Sequence, residues 1–163
     1  MLTVTRHRWI VALVLSSLCA ACQLATPPDT ASRSRDADLA WDEAHGGHTL
    51  ARHVGLSDGD LRARLDREEI AAASTFDDRE TAERVVASAI AASRAQIERW
   101  ARRRGRRPNL VVQFRGDPDD PIGRSLRRGE RRTQACWRAR IVLRWDDGLG
   151  MFFVLTAYPE GQS

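Results

Sequence analysis

Three of the four histidines in the chain fall within nine residues, in His45-Gly46-Gly47-His48-Thr49 and His53-Val54-Gly55. Imidazole is the side chain whose unperturbed pKa, about 6.5, lets it exchange protons near neutrality, so the cluster points to acid–base chemistry. Two other readings compete with it. One is a metal site, but the glycines interrupt a rigid i,i+4 pair and no His-Glu-x-x-His pattern occurs, so the spacing predicts no metal ligands. The other is a structured N-terminal segment that the histidines cap or fill.

Cationic side chains are abundant. Among 163 residues, Lys+Arg number 26 and every one is Arg. The formal net charge is +4; once Arg6 and Arg8 go with the first 22 residues, 24 Arg face 22 acidic residues, a balance of +2. Bulk charge therefore argues only weakly for a polyanionic partner, and the clustering says more. Arg124, Arg127, Arg128, Arg131 and Arg132 surround Gly129, a run suited either to gripping phosphates or to a solvated loop.

The elements that must position these groups are legible in part. Ser57 with Asp60 forms a capping-box-like start, and Leu61 and Leu65 share a face, which predicts a helix over 58–69. Asp77 with Glu80 repeats the signal, and Ala82, Val85, Val86, Ala89, Ile90, Ile97 and Trp100 continue a 3.6-residue stripe, predicting one long helix that ends before Gly105. Arg102, Arg103 and Arg104 then suit its last turn, where positive charge complements the helix dipole. After Pro108 the pattern turns to β structure, with a strand over Leu110 to Phe114 and a turn-rich loop at 117–121.

Toward the C-terminus, Ala135, Trp137, Ala139, Ile141, Leu143 and Trp145 alternate with Arg138, Arg140 and Arg144, the pattern of a half-buried strand. Met151 to Tyr158 reads as its hairpin partner. A five-residue loop sets Trp145 opposite Met151, Ile141 opposite Leu155 and Leu143 opposite Phe153. On the other face it sets Arg140 opposite Thr156 and Arg138 opposite Tyr158, a basic sheet face or simply solvated arginines. Trp100 and Trp137 read as core residues.

The N-terminus reads as a targeting segment, with Arg6, His7 and Arg8 ahead of an apolar run from Trp9 to Ala21 that is short for a membrane span. Its end, Leu18-Cys19-Ala20-Ala21-Cys22, is similar to a lipoprotein lipobox, with Cys22 as the lipidated residue and cleavage after Ala21 without lipidation as the alternative. Lipidation leaves Cys136 alone; without it, Cys22 and Cys136 could pair. The expected organisation is a signal peptide over 1–22, a flexible linker over 23–40 and one domain over 41–163.

Gly46-Gly47-His48-Thr49, His53-Val54-Gly55, Leu61 through Arg64-Leu65, Ala73-Ser74-Thr75-Phe76, Ile122-Gly123-Arg124 and Thr156-Ala157-Tyr158-Pro159 occur in that order. Together they resemble the bacterial ribonuclease A-like toxin domain carried at the C-terminal ends of contact-dependent inhibition proteins, over residues 45–159. The resemblance implies an α+β fold in which N-terminal helices lead into a curved antiparallel sheet without disulfides. It implies cleavage of RNA through the 2′-OH without metal or other cofactor; with the targeting segment, the expectation is an exported toxin or effector, a monomer. The implied catalytic set is His53, Arg64, Thr156 and Tyr158, with His48, Arg124, Arg138 and Arg140 as further catalytic or substrate-binding candidates. The implied partners are RNA and a cognate immunity protein, with membrane contact only through a lipid on Cys22 and residence in the periplasm, at the outer membrane or outside the cell. The rival from another class is a lipid-anchored envelope binding protein whose ribonuclease-like domain is inactive. A His-cluster metal binder is the second rival.

Overall fold

The computed structural model describes residues 38–161, so the predicted targeting segment, Cys22 and most of the predicted linker lie outside the described residues. The first described helix starts ahead of Trp41. Asp38 Oδ1 accepts the Trp41 N–H at 3.0 Å and caps α1 (Leu39–Ala44), whose first residue, Leu39, is wholly buried. Then follow α2 (Thr49–His53), α3 (Asp58–Arg67), β1 (Ala72–Phe76), α4 (Arg79–Ala92), α5 (Arg94–Ala101), β2 (Leu110–Arg115), β3 (Gly123–Arg127), β4 (Gln134–Cys136), β5 (Arg138–Asp146) and β6 (Met151–Glu160).

Local chemistry accounts for the helix starts. Ser57 Oγ accepts the Asp60 N–H at 3.2 Å while Asp60 Oδ2 accepts the Ser57 N–H at 2.9 Å, the reciprocal capping box expected from the sequence. The α4 cap is Asp78, whose Oδ1 accepts the Thr81 N–H at 2.7 Å. The expected cap, Asp77, instead pairs with Arg124 at 3.3 Å. The single long helix expected over this region is two, because the chain leaves helical geometry at Ser93 (φ −101°, ψ 10°). The break lets α5 carry Trp100 edge-on against Trp145, ring centroids 5.9 Å apart, as part of the core. Arg102 is the α5 C-cap, so Arg103 and Arg104 lie past the last turn.

The antiparallel β structure expected after the helices is built as two sheets of three strands each, in the orders β1-β3-β4 and β2-β5-β6, and β1 lies between helices in the chain. The α+β class stands. Apolar faces of α4 and α5 bury Val85, Val86, Ala89 and Trp100 against Val112, Ile141, Leu143 and Val154 of the β2-β5-β6 sheet. A smaller core of Leu61, Leu65, Ala73 and Leu126 joins α3 to β1 and β3. At roughly 1.5–3 kcal/mol for each large apolar side chain buried, the larger core dominates the fold.

The hairpin register departs from expectation. Asp146 lies opposite Met151, Leu143 opposite Val154, Val142 opposite Thr156 and Arg140 opposite Tyr158, with a shift between Val142 and Leu143. The loop is thus four residues, and Leu155 is the extra residue of a bulge. Arg138 comes opposite Glu160 rather than Tyr158, and Ile141 opposite Ala157 rather than Leu155.

Among the described residues no strand is hydrogen-bonded to the outer edge of β6, and the N-terminal motif bonds to it instead. Asp42 Oδ1 accepts the Val154 N–H at 3.0 Å, the bulged Leu155 carbonyl accepts the His48 N–H at 3.0 Å, and Thr49 Oγ1 accepts the Ala157 N–H at 2.9 Å. Gly47 permits this approach: a Cβ there would stand 2.6 Å from the Val154 oxygen and 2.9 Å from the Asp42 oxygen.

Candidate active site

Docking of α2 on β6 puts His53 at the end of a short helix that two further bonds pin to β1. The Gly55 N–H donates to the Phe76 carbonyl at 3.0 Å and the Leu56 N–H to Thr75 Oγ1 at 3.0 Å. His53 itself is only 7% exposed, and its Nδ1 lies 3.2 Å from the Ser74 carbonyl oxygen. A carbonyl can only accept, so Nδ1 carries the hydrogen and the neutral ring keeps a lone pair on Nε2. Burial drives the His53 pKa down to about 4, against the opposing Ser74 bond and with help from the Arg64, His48 and Arg52 charges. At neutral pH this imidazole is an unprotonated base.

A cleft of about 440 Å³ opens beside it, lined among others by His48, Arg52, Arg64, Ser74, Thr156 and Tyr158. Of the eight nominated side chains, it gathers His53, Arg64, Thr156, Tyr158 and His48. The Tyr158 ring lies 5.3 Å from the His53 ring, centroid to centroid, tilted by 32°. Burial raises the Tyr158 pKa, partly offset by the Arg140 charge, so the phenol stays protonated. Thr156 is two residues back on the same face of β6, and its buried Oγ1 has no hydrogen-bond partner among the described residues. A lone buried hydroxyl costs about 1–3 kcal/mol when unpaired, which is an arrangement suited to a polar ligand.

Arg64, on α3, is aimed by its neighbours. Its Nε donates to Glu68 (3.3 Å to Oε1, 3.2 Å to Oε2) and its Nη1 to the Arg52 carbonyl at 3.0 Å. Glu68 also takes Arg52 Nη2 at 2.7 Å, so one carboxylate orients both guanidinium groups. Two of the five N–H groups of Arg64 are thereby used, leaving three for an anion. His48 caps α2 at the rim; burial, then the Arg52 charge, hold its pKa below the ordinary imidazole value.

The other nominees lie elsewhere. Arg124 is absent from the cleft lining and is committed to structure: Nε to Asp58 at 2.9 Å, Nη1 to Asp77 at 3.3 Å, Nη2 to the Leu56 carbonyl at 2.7 Å. It fastens β3 to the start of α3. Arg128 of the same basic run likewise donates to the Leu65 carbonyl at 2.6 Å and the Ile70 carbonyl at 3.1 Å, holding the turn after α3. Arg140 is paired with Glu160 at 2.7 Å beside Tyr158, and Arg138 is exposed beyond it. His45 stacks on Trp41 at 3.8 Å and its Nδ1 lies 2.7 Å from the Trp41 carbonyl oxygen, so the three clustered histidines do not converge. Among the described residues there is no group of three or more His, Cys, Asp or Glu side chains placed to hold a metal.

Sequence reasoning missed Arg52, Glu68 and Ser74. Arg52 stands four residues after His48 on the same helical face, and Glu68 four after Arg64, so i,i+4 spacing from nominated residues was the available signal. Ser74 contributes through its backbone, for which side-chain type carries no signal.

No curated protein matches the chain. The crystal structure of a CdiA-CT/CdiI complex from Y. kristensenii 33638 contains a chain that is 30% identical, with a TM-score of 0.63, over 71% of the present chain and 100% of that one. Residues 47–159 match the family model described as bacterial CdiA-CT RNAse A domain. With this match spanning α2 to α5, the strands of both sheets and the whole cleft, the chain belongs to the bacterial CdiA-CT RNAse A domain family and is a ribonuclease of the contact-dependent inhibition toxin type.

Proposed function

We propose that the protein is an exported endoribonuclease that cleaves RNA by metal-independent transphosphorylation, using His53, Arg64, Thr156 and Tyr158. The observation that carries this reading is the neutral His53 ring, held by Ser74 with Nε2 unprotonated, in one cleft with Arg64 and the unpartnered Thr156 hydroxyl. RNA supplies its own nucleophile, so the site needs a base, an anion clamp and a donor for the leaving group.

His53 Nε2 takes the proton of the 2′-OH as the 2′-oxygen attacks phosphorus. Negative charge builds on the non-bridging oxygens, where the free N–H groups of Arg64 and the Thr156 hydroxyl donate hydrogen bonds. The P–O5′ bond then breaks, and Tyr158 donates a hydrogen bond to the departing 5′-oxygen, whose proton comes finally from solvent or from the His53 imidazolium. The products are a 2′,3′-cyclic phosphate and a 5′-hydroxyl. His48 and Arg52 flank the reacting phosphate as binding groups. Bound phosphate offsets the charges of Arg64 and Arg52 and so raises the His53 pKa toward neutrality, making it a stronger base when substrate is present.

The signal-peptide and lipobox pattern ending at Cys22, followed by a stretch of linker-like composition ahead of the first described helix, supports export of the domain as a lipoprotein or in free form. The similar chain comes from the structure of a CdiA-CT/CdiI complex, which supports a cognate immunity protein for this chain, with acidic groups complementing the arginine-lined cleft. An RNA with a single 2′-deoxy substitution tests the chemistry: cleavage should vanish at that position alone, and other sites should yield cyclic phosphate ends. Cleavage at the deoxy position would refute a 2′-OH nucleophile.

A further inference from the structure

The active cleft does not end at Tyr158. A second depression of about 220 Å³ shares the walls Ala72, Ser74 and Tyr158 with it, and adds Ser125, Glu160 and, at the exposed rim, Arg127. Tyr158 therefore stands between the two spaces, with His53 near its ring on the cleft side. Glu160 follows two residues along β6 and shares the Tyr158 face.

The second depression carries unspent hydrogen-bonding capacity. Glu160 Oε1 accepts Arg140 Nε at 2.7 Å, which fixes the carboxylate, while no bond among the described residues uses Oε2. The hydroxyl of Ser74, in a residue only 7% exposed, has no partner among the described residues, since the contact to His53 engages its backbone. A fixed carboxylate oxygen can only accept, so it favours a ligand edge with an N–H donor and disfavours a carbonyl.

The geometry points to this slot as a nucleobase subsite for the nucleotide on the 3′ side of the cleaved bond, selecting bases that carry an exocyclic amino group. The inference rests on the proposed mechanism, in which Tyr158 meets the departing 5′-oxygen: the nucleoside bearing that oxygen lies on the Tyr158 side, and the slot beyond the ring is the space open to its base. Tyr158 and Ala72 supply apolar contact, and Glu160 Oε2 accepts the amino group, with the Ser74 hydroxyl as a second partner.

Dinucleotides with one constant 5′ base and a variable 3′ base test this. Cytosine and uracil differ there in amine against carbonyl at constant ring size, and guanine and hypoxanthine in the amine alone. The expected kcat/KM favours cytosine over uracil and guanine over hypoxanthine by about tenfold, the scale of one hydrogen bond to a charged acceptor. Glu160→Gln and Glu160→Ala, each confirmed folded by its melting transition, should bring both ratios close to one. Equal rates across the 3′ bases in the wild type, a preference confined to the 5′ base, or ratios unchanged in both variants would overturn the subsite and leave the ribonuclease reading standing. No cleavage of any dinucleotide or of longer RNA would remove both.

Discussion

Lowering the pH across the His53 titration should cost the fold a specific and separable amount of stability. The folded-state pKa of about 4 lies about 2.5 units below the ordinary 6.5, and at about 1.36 kcal/mol per unit this is on the order of 3 kcal/mol. As pH falls below 6.5 the unfolded chain takes up the proton, whereas the folded protein does not until about pH 4. The stabilisation is therefore fully present above pH 6.5 and is lost between pH 6.5 and 4. Urea unfolding of wild type and His53→Gln at pH 7 and pH 4 isolates the effect from the carboxylates, which titrate in both. Wild type should lose about 3 kcal/mol more than the variant over that interval. NMR titration of the imidazole reads the same pKa directly, and saturating inorganic phosphate should raise it. A His53 pKa at or above 6.5, or equal losses in the two proteins, would refute a buried neutral base.

Other perturbations separate chemistry from architecture. Thr156→Val removes a buried hydroxyl that has no partner; the melting temperature should hold or rise while kcat/KM on RNA falls about tenfold, and an equal loss of stability would contradict a ligand-directed role. Glu68→Gln keeps size but loses the charge that aims Arg52 and Arg64, so kcat/KM should fall roughly tenfold, measured beside a circular dichroism control. Arg124→Ala cuts three bonds fastening β3 to α3 and should lower unfolding free energy by about 1–2 kcal/mol in urea while sparing kcat at low temperature. Gly47→Ala forces a Cβ onto two backbone oxygens and should cost about 1–3 kcal/mol in the same assay, with activity lost as the seat of α2 shifts.

Features fixed by local pattern were legible before the fold was known. The α3 capping box and the β5–β6 hairpin follow from spacing alone, because capping and alternation act between near neighbours. The hairpin register was not legible. Met151 to Tyr158 is apolar on both faces, so period two gives no phase, and the Leu155 bulge depends on docking of His48 and Thr49 more than a hundred residues earlier. Strand β3 is hidden for a related reason: Gly123, Arg124 and Arg127 give it no clean alternation, and pairing with β1 on one side and β4 on the other makes it a strand, while Ala135 and Cys136, which continue the β5 alternation in sequence, leave β5 to form β4 beside β3. Arg124 and Arg128 illustrate how a basic run misleads, since the backbone carbonyls they fasten leave no trace in composition. Within the site, the motif order marked five of the residues that line the cleft, His48, His53, Arg64, Thr156 and Tyr158. Arg52, which also lines it, and Glu68, which binds Arg52 and Arg64, were within reach of i,i+4 spacing, but that spacing alone does not say that the two helices meet.

The most direct test of the account is incubation of a labelled RNA with the purified protein in excess chelator, comparing wild type with His53→Ala and His48→Ala. The account predicts that wild type cleaves and leaves 2′,3′-cyclic phosphate ends, that His48→Ala retains measurable cleavage, and that a folded His53→Ala does not cleave. Wild-type cleavage abolished by chelator and restored by a divalent metal, or a folded His53→Ala that cuts at the wild-type rate, would contradict it.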